Sequence, residues 1–182
     1  FLSNLANTTP STYLTYNANN TLTFPMTLSM WVNTINPITT SNATQMITSF
    51  GSASIGNTYL AEIYLYNNNT FYAAFGGTAL GVTGITCQSA ATMANNTWYH
   101  LALTMSLGSP MVLYVNGVGY SSGGSALIAS IPYAINQLRI GAQCGPVSAG
   151  GTIAFNGFID DFRIYNKILT VAQTVSYTHL RA

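Results

Sequence analysis

Charge is what this chain has least of. Asp, Glu, Lys and Arg together make up 4% of its 182 residues, whereas an ordinary soluble domain has about 25%. The net charge of +1 and the lack of a basic stripe exclude an electrostatic nucleic-acid binder. Surface polarity must therefore come from Asn, Thr, Ser and Gln. A surface with so little charge does little to keep copies of a protein apart, which favours association.

Long hydrophobic runs are also missing. The most apolar stretch, "WYHLALTMSLGSPMVLYV", is interrupted by His100, Ser106, Gly108, Ser109 and Pro110. It never reaches the roughly 18 uninterrupted apolar residues that a spanning helix needs, so we predict no transmembrane span. Because 48% of the residues are hydrophobic, the chain has enough apolar surface to fold as one domain with a substantial core.

Acidic side chains are too scarce for most catalytic arrangements. Glycoside hydrolysis needs two carboxyl groups that flank one bond, and the side chains offer only Glu62, Asp160 and Asp161. Asp160 and Asp161 are neighbours in an expected strand and should point to opposite faces. Glu62 lies on another strand, on the face of Tyr64 and Tyr66. We expect a lone, partly exposed carboxyl among tyrosines and no enzyme, although a Glu62–Asp pair stays open.

The sequence also lacks the motifs of a metal site and of a catalytic nucleophile. A calcium site takes about 6–8 oxygens, usually with two or more carboxylates, and Asp160 or Asp161 would be the only contributors here. The two His and two Cys show no zinc-ligand spacing. No Gly-x-Ser-x-Gly elbow is present. We therefore expect no metal and no other cofactor.

The cysteines form an even pair, Cys87 and Cys144. In a chain of extracellular character an even count predicts a disulfide. The alternative is two unpaired buried thiols.

The compartment is indicated by sequons of the form Asn-x-Ser/Thr. They occur in stretches that resemble loops, although an Asn- and Thr-rich chain also produces some by chance. We predict N-linked glycans and an extracellular location, secreted or at the cell surface. The sequons are at Asn7, Asn19, Asn42, Asn68 and Asn95.

Short alternating segments between turn signals predict an all-β fold. In "TLTFPMTLSMWVNTI", Met26, Leu28, Met30 and Val32 alternate with polar residues and Trp31. "TWYHLALTM" alternates in the same way. Hairpin turns are predicted at 67–70 and at the Asn-Gly of 116–117. A short helix should begin at 170, where "TVAQ" fits a capping box.

Three stretches carry a family resemblance: "LSMWV", "NTWYHLALTM…MVLYVNG" and "FNGFIDDFRIYNKILT". Together, over about residues 28–170, they resemble the laminin G-like branch of the concanavalin A-like lectin/glucanase superfamily. The resemblance implies a jelly-roll sandwich of two antiparallel sheets with one short helix near the C-terminus. The domain is expected over 1–175, with 176–182 ("SYTHLRA") a tail that departs from the family pattern and need not be native.

The resemblance also assigns structural residues. His100 matches the family's structural His, which we expect to be a hydrogen-bonded core residue. In "IDDFRIY", Asp161 and Arg163 should share a face and form an ion pair. Asp160 should share the other face with Phe162 and Ile164, and accept backbone N–H bonds. We read these charges as a structural corner of the sandwich.

Two functions remain open at this level. Composition favours a non-catalytic structural subunit that assembles with copies of itself into a filament, appendage or surface coat. The superfamily favours a lectin or adhesion module that binds an extracellular glycan or a protein. Too many Tyr and Asn residues qualify for the sequence to nominate a ligand site.

Overall fold

The computed structural model describes residues 13–35, 44–52, 59–66, 68–77, 82–90, 92–122, 127–130, 134–144 and 152–176. Within these ranges the chain forms strands and one short helix. Their bounds are β1 Leu14–Leu22, β2 Met26–Thr34, β3 Thr44–Gly51, β4 Tyr59–Tyr66, β5 Phe71–Gly77, β6 Val82–Gln88, β7 Trp98–Met105, β8 Val112–Val115, β9 Val118–Ser121, β10 Ile135–Ile140, β11 Thr152–Ala154, β12 Gly157–Tyr165 and α1 Val171–Ser176.

The strands form two sheets, as the sequence predicts. The seven-stranded sheet has the order β1-β10-β3-β4-β5-β6, and β11 pairs with β3. The five-stranded sheet has the order β12-β2-β7-β8-β9. All pairings are antiparallel except that of β11 with β3. The inner faces of the two sheets enclose one hydrophobic core, so each sheet also has an outer face turned away from its partner.

The predicted strand faces are confirmed in the centre of the five-stranded sheet. Met26, Leu28, Met30 and Val32 of β2 are all buried in the core, and β7 lies antiparallel to β2 along its whole length. The core-facing alternation of both strands follows from the period of two, which sends successive side chains to opposite faces.

The predicted turns are confirmed as well. Asn116 and Gly117 both have positive φ, 50° and 82°, which is what a tight hairpin turn between two twisted strands requires. Asn69 has φ 56° in the turn that joins β4 to β5. At the start of α1, Gln173 Oε1 accepts from the Thr170 N–H and Thr170 Oγ1 accepts from the Gln173 N–H, which completes the capping box.

The acidic pair in β12 lies at a β-bulge, and one expectation is wrong there. The register with β2 shifts between Asp160 and Arg163, and Asp161 has φ 52°. The extra residue places Asp160 opposite Trp31 and Arg163 opposite Ser29, on the outer face. Asp160 therefore does not share a face with Phe162 and Ile164, contrary to the expectation from the sequence. Strict alternation fails because a bulge adds one residue to one strand.

The contacts at the bulge are partly as expected. Asp161 Oδ1 and Arg163 Nη2 are 2.8 Å apart, which confirms the ion pair. Asp160 accepts a backbone N–H bond, as expected; one donor is the adjoining Asp161 N–H, at 2.8 Å.

The predicted disulfide is wrong. Cys87 and Cys144 are both free and buried. The Cys87 thiol lies on β6 and donates to the carbonyl of Met111, whereas the Cys144 thiol donates to the carbonyl of Ser49 on β3. Because β4 and β5 lie between these strands, the two positions are about 14 Å apart across the sheet. A disulfide needs Cα atoms within about 7 Å.

The glycosylation expectations fall on different parts of the structure. Asn7 and Asn42 lie outside the described residues. Asn19 lies in β1, not in a loop. Asn68 and Asn95 are exposed in turns, as a glycan acceptor has to be, and whether they carry glycans stays a prediction.

Two further expectations concern the membrane and the tail. No helix of the described ranges has the length and apolarity needed to cross a bilayer. Of the expected tail, residues 177–182 lie outside the described part of the chain.

Candidate functional site

The outer face of β4, β5 and β6 carries a row of tyrosines beside a row of small side chains. Tyr64 lies opposite Tyr72, which lies opposite Gln88. One step along the strands, Glu62 lies opposite Ala74, which lies opposite Thr86. We call this surface the tyrosine face; its members are Glu62, Tyr64, Tyr66, Tyr72, Ala74, Thr86 and Gln88.

The three phenol rings form one cluster. The rings of Tyr64 and Tyr72 stack with centroids 5.4 Å apart and planes inclined by 11°. Tyr66 completes the cluster, at 5.2 Å from Tyr72 and 6.4 Å from Tyr64. All three side chains are partly exposed. They present apolar ring surface and phenolic hydroxyl groups in one place, as amphipathic recognition surfaces do.

The small side chains leave room beside this cluster. Ala74 is partly exposed and Thr86 is exposed, and both face the same side of the sheet as Tyr72. Gly76 and Gly84, at the irregular part of the β5–β6 pairing, have no side chain at all. The tyrosine rings therefore stand above a surface of small residues, Ala74 and Thr86 with Gly76 and Gly84, which we call the floor. Thr86 and Gln88 supply exposed hydroxyl and amide groups at its edge.

A short segment after β10 encloses the floor on the β3 side. The Ser49 hydroxyl donates to the carbonyl of Ala142 at 3.1 Å and accepts from the Cys144 N–H at 2.5 Å. These bonds hold the segment against β3 and place Gln143 over Glu62. The Gln143 amide donates to Glu62 Oε2 at 3.3 Å.

Glu62 is the only carboxyl side chain on the tyrosine face. It is 7% exposed, and this burial raises its pKa to about 7 although the hydrogen bond from Gln143 acts in the opposite direction. Near neutral pH the group is therefore a mixture of a neutral acid, which can donate a hydrogen bond, and a carboxylate, which can only accept. The sequence-based expectation of a lone carboxyl among tyrosines is confirmed, but the group is buried rather than partly exposed.

Arg139 of β10 lies beyond this enclosing segment. Its Nη1 donates to the carbonyl of Gln143 at 2.7 Å. Its guanidinium also lies 5.2 Å from the ring centroid of Tyr13, within reach of a cation–π contact. The guanidinium of Arg139 thus stabilises the segment that covers Glu62, and it lies on the β1 side of that segment.

His100 is buried, as expected, but under the outer face of the five-stranded sheet rather than in the core between the sheets. His100 Nε2 and the Ser29 hydroxyl share a hydrogen bond of 2.9 Å, and the ring of Trp31 meets the imidazole edge-on at 5.4 Å. Within the described residues its Nδ1 has no hydrogen-bond partner. Burial lowers the pKa of His100 to about 4, against a smaller opposing effect of Asp161.

The Ser29–His100 pair does not form a nucleophilic site. Ser29 and His100 are 4% and 1% exposed, so a substrate cannot reach them. Asp161 is paired with Arg163 instead of orienting the imidazole as the acid of a triad does. The pair is a structural contact.

The three side-chain carboxyls of the chain do not come together. Glu62 lies on the seven-stranded sheet, and Asp160 and Asp161 on the outer side of the five-stranded sheet. Packed sheets are about 10 Å apart, so the whole sandwich separates these groups, and a glycosidase pair at about 5–9.5 Å is excluded. Among the described residues, no group of three or more His, Cys, Asp or Glu side chains gathers as a metal site would require.

The family follows from a match over most of the chain. A laminin G-like family model, described as the concanavalin A-like lectin/glucanases superfamily, matches residues 7–174. The chain belongs to this family. The resemblance inferred from the three motifs is thereby confirmed. No curated protein matches the sequence.

Solved structures share the fold of this laminin G-like chain. A heptameric SAP-like pentraxin from Limulus polyphemus superposes with a TM-score of 0.64 at 17% identity, over 93% of this chain and 76% of the pentraxin. The CBM40 of a Ruminococcus gnavus IT-sialidase, bound to alpha2,3 sialyllactose, superposes with a TM-score of 0.65 at 19% identity, over 85% and 82% of the two chains. At such identities the likeness establishes the fold alone.

A sialidase also shares the fold over part of its length. The Trypanosoma rangeli sialidase superposes with a TM-score of 0.60 at 18% identity. The match covers 84% of this chain but only 22% of that enzyme.

Sequence reasoning missed the tyrosine face, and a partial signal for it was present. In "YLAEIYLYNNNTFYAAF", alternation places Glu62, Tyr64 and Tyr66 on one face of the first strand. The predicted turn at 67–70 then brings Tyr72 back onto the same face. What the sequence could not supply is the pairing with β6, which adds Thr86 and Gln88.

Proposed function

We propose that this chain is a non-catalytic glycan-binding module, and that the tyrosine face is its binding surface. The observation that carries the proposal is the row Tyr64–Tyr72–Gln88 beside the floor of Ala74 and Thr86. A sugar ring has apolar C–H faces and a rim of hydroxyl groups. The tyrosine rings match the faces, while neighbouring amide and hydroxyl groups match the rim.

The family and the neighbouring structures support this proposal. The chain belongs to a lectin-like superfamily, and one structural neighbour is a carbohydrate-binding module with a bound oligosaccharide. The separation of the carboxyl groups supports binding without hydrolysis. We further propose that the module works outside the cell, because Asn68 and Asn95 are exposed sequon residues.

The proposal is tested by screening the purified chain on a broad glycan array. The test variant is Tyr64→Ala/Tyr72→Ala, which removes the stacked pair. The control is Tyr16→Ala, which removes a 60% exposed tyrosine from β1, four strands from β5 in the same sheet. We expect wild type and the control to bind the same glycans and the double variant to bind none. A folded double variant that binds like wild type would place the site elsewhere.

Self-assembly into a filament or surface coat is a second candidate, and the edge of the seven-stranded sheet favours it. Leu14 and Tyr16 of β1 are 54% and 60% exposed, and exposed apolar edge strands invite pairing with other chains. A heptameric structure is among the neighbours. Sedimentation decides this candidate: a monodisperse monomer at high micromolar concentration would exclude it, and it leaves the glycan proposal untouched.

A further inference from the structure

Charge is distributed unevenly around the tyrosine face. Of the four basic residues in the chain, Arg163 lies on β12 and Lys167 follows it, both on the side of the five-stranded sheet. Arg181 lies outside the described residues. Arg139 is therefore the one described cation on the sheet that carries the tyrosines.

Arg139 is held away from the stacked tyrosines. Two strand spacings separate β10 from β4 and three separate it from β5, or about 10 Å and about 14 Å. The guanidinium is also engaged by the Gln143 carbonyl and the Tyr13 ring. A carboxylate held against Tyr72 would therefore have no described cation within hydrogen-bonding distance.

Glu62, in contrast, borders the same floor. It lies directly opposite Ala74 and two residues from Tyr64 on the same strand, a rise of about 7 Å. The carboxylate of an acidic sugar on the floor would lie close to this buried carboxyl group without touching it, and like charges placed together in an interface oppose binding.

We infer that the site takes uncharged pyranose sugars and rejects glycans that carry a carboxylate, and that Glu62 sets this preference. The inference rests on the proposed function of the tyrosine face. The neutral hydroxyl and amide groups of Thr86, Gln88 and Gln143 complement the hydroxyl groups of a neutral sugar.

Ionisation of Glu62 gives the preference a pH dependence. In the described part of the chain, the titratable or charged groups near Glu62 are Tyr64 on its own strand, Tyr72 of β5, Arg139 of β10 and the Cys144 thiol after β10. Its β3 neighbour, Ser49, does not titrate. Since burial raises the pKa of Glu62 to about 7, the carboxylate forms as the pH rises through neutrality. Rejection of acidic glycans should strengthen over that range.

The test uses array members in matched pairs that differ only by a terminal sialic acid, such as lactose and 3′-sialyllactose, at about pH 8 and about pH 5.5. At the higher pH we expect the neutral member of the bound pair to bind about tenfold or more tightly than the sialylated one. The difference should shrink at the lower pH, and Glu62→Gln should remove it at both.

The outcomes separate the two proposals. If the tightest ligands at the higher pH are sialylated, the charge preference is wrong and glycan binding stands. If the preference for neutral sugars persists unchanged in a folded Glu62→Gln, Glu62 does not set it. If no glycan binds, both proposals fail. Should Glu62→Gln not fold, the pH dependence of the wild type decides: a neutral preference of equal size at both pH values overturns the role of Glu62.

Discussion

Tyr64 and Tyr72 lie directly opposite each other on β4 and β5, and their rings stack at 5.4 Å with an angle of 11°. The pair leaves apolar ring area partly in contact with water. Cross-strand aromatic pairs contribute to sheet stability, so the same two rings have a structural and a proposed binding role, which mutation can separate.

The stacked pair should add little to stability. Replacing each tyrosine by Ala, alone and together, should give a coupling free energy of about 0.5–1.5 kcal/mol. The measurement is urea unfolding of wild type, both single variants and the double variant. A coupling near zero would show that the rings do not interact in solution.

The ionisation of Glu62 and that of His100 should make the free energy of unfolding depend on pH in opposite directions. Burial raises the folded-state pKa of Glu62 from 4.5 to about 7, so its contribution is complete below 4.5 and is lost as the pH rises through 7. Burial lowers that of His100 from 6.5 to about 4, so its contribution is complete above 6.5 and is lost as the pH falls through 4. Each amounts to at most about 3.4 kcal/mol.

Single variants should reveal each dependence. In Glu62→Gln the free energy of unfolding should rise with pH between about 4 and 6.5, and in His100→Gln it should fall between about 4.5 and 7. Wild type should be flatter than either. Denaturant titrations across this range test the prediction, and equal slopes in all three proteins would contradict it.

Backbone conformation, rather than charge, should govern the bulge in β12. Asp161 has φ 52°, which Asn tolerates and β-branched residues resist. We expect Asp161→Asn to be near neutral and Asp161→Val to cost about 1–2 kcal/mol. Arg163 is largely exposed, so Arg163→Ala should cost less than about 0.5 kcal/mol. An Asp161→Asn variant as unstable as Asp161→Val would show instead that the carboxylate is required.

The free thiols give a chemical test of the fold. Alkylation in denaturant without a reductant should label both Cys87 and Cys144, because they are not joined. Addition of a reductant should leave the thermal unfolding midpoint unchanged. Recovery of a peptide that links the two residues would contradict the positions of β3 and β6 in the sheet.

Local patterns predicted much of this fold. The alternation of Met26, Leu28, Met30 and Val32 was sufficient to assign a buried face, and Asn116 and Gly117 were sufficient to place a hairpin. Each of these features depends on residues close in sequence, for which side-chain period and backbone preference are decisive. The capping contact between Thr170 and Gln173 is local in the same way.

The errors concern relationships across the sheet. An even number of cysteines contains no information about distance, and two intervening strands separate Cys87 from Cys144. The bulge at Asp161 has no glycine to signal a positive φ, so alternation was carried through it. The tyrosine face was missed because the pairing of β4, β5 and β6 selects three tyrosines out of twelve.

The most direct test of the account is calorimetric titration with the tightest glycan found by array screening. Wild type and Tyr16→Ala should bind it with the same affinity, and Tyr72→Ala should bind at least about tenfold more weakly, a loss of about 1.4 kcal/mol, while remaining folded. Equal affinity of all three proteins would contradict binding at the tyrosine face, and the absence of any bound glycan would contradict the proposed function itself.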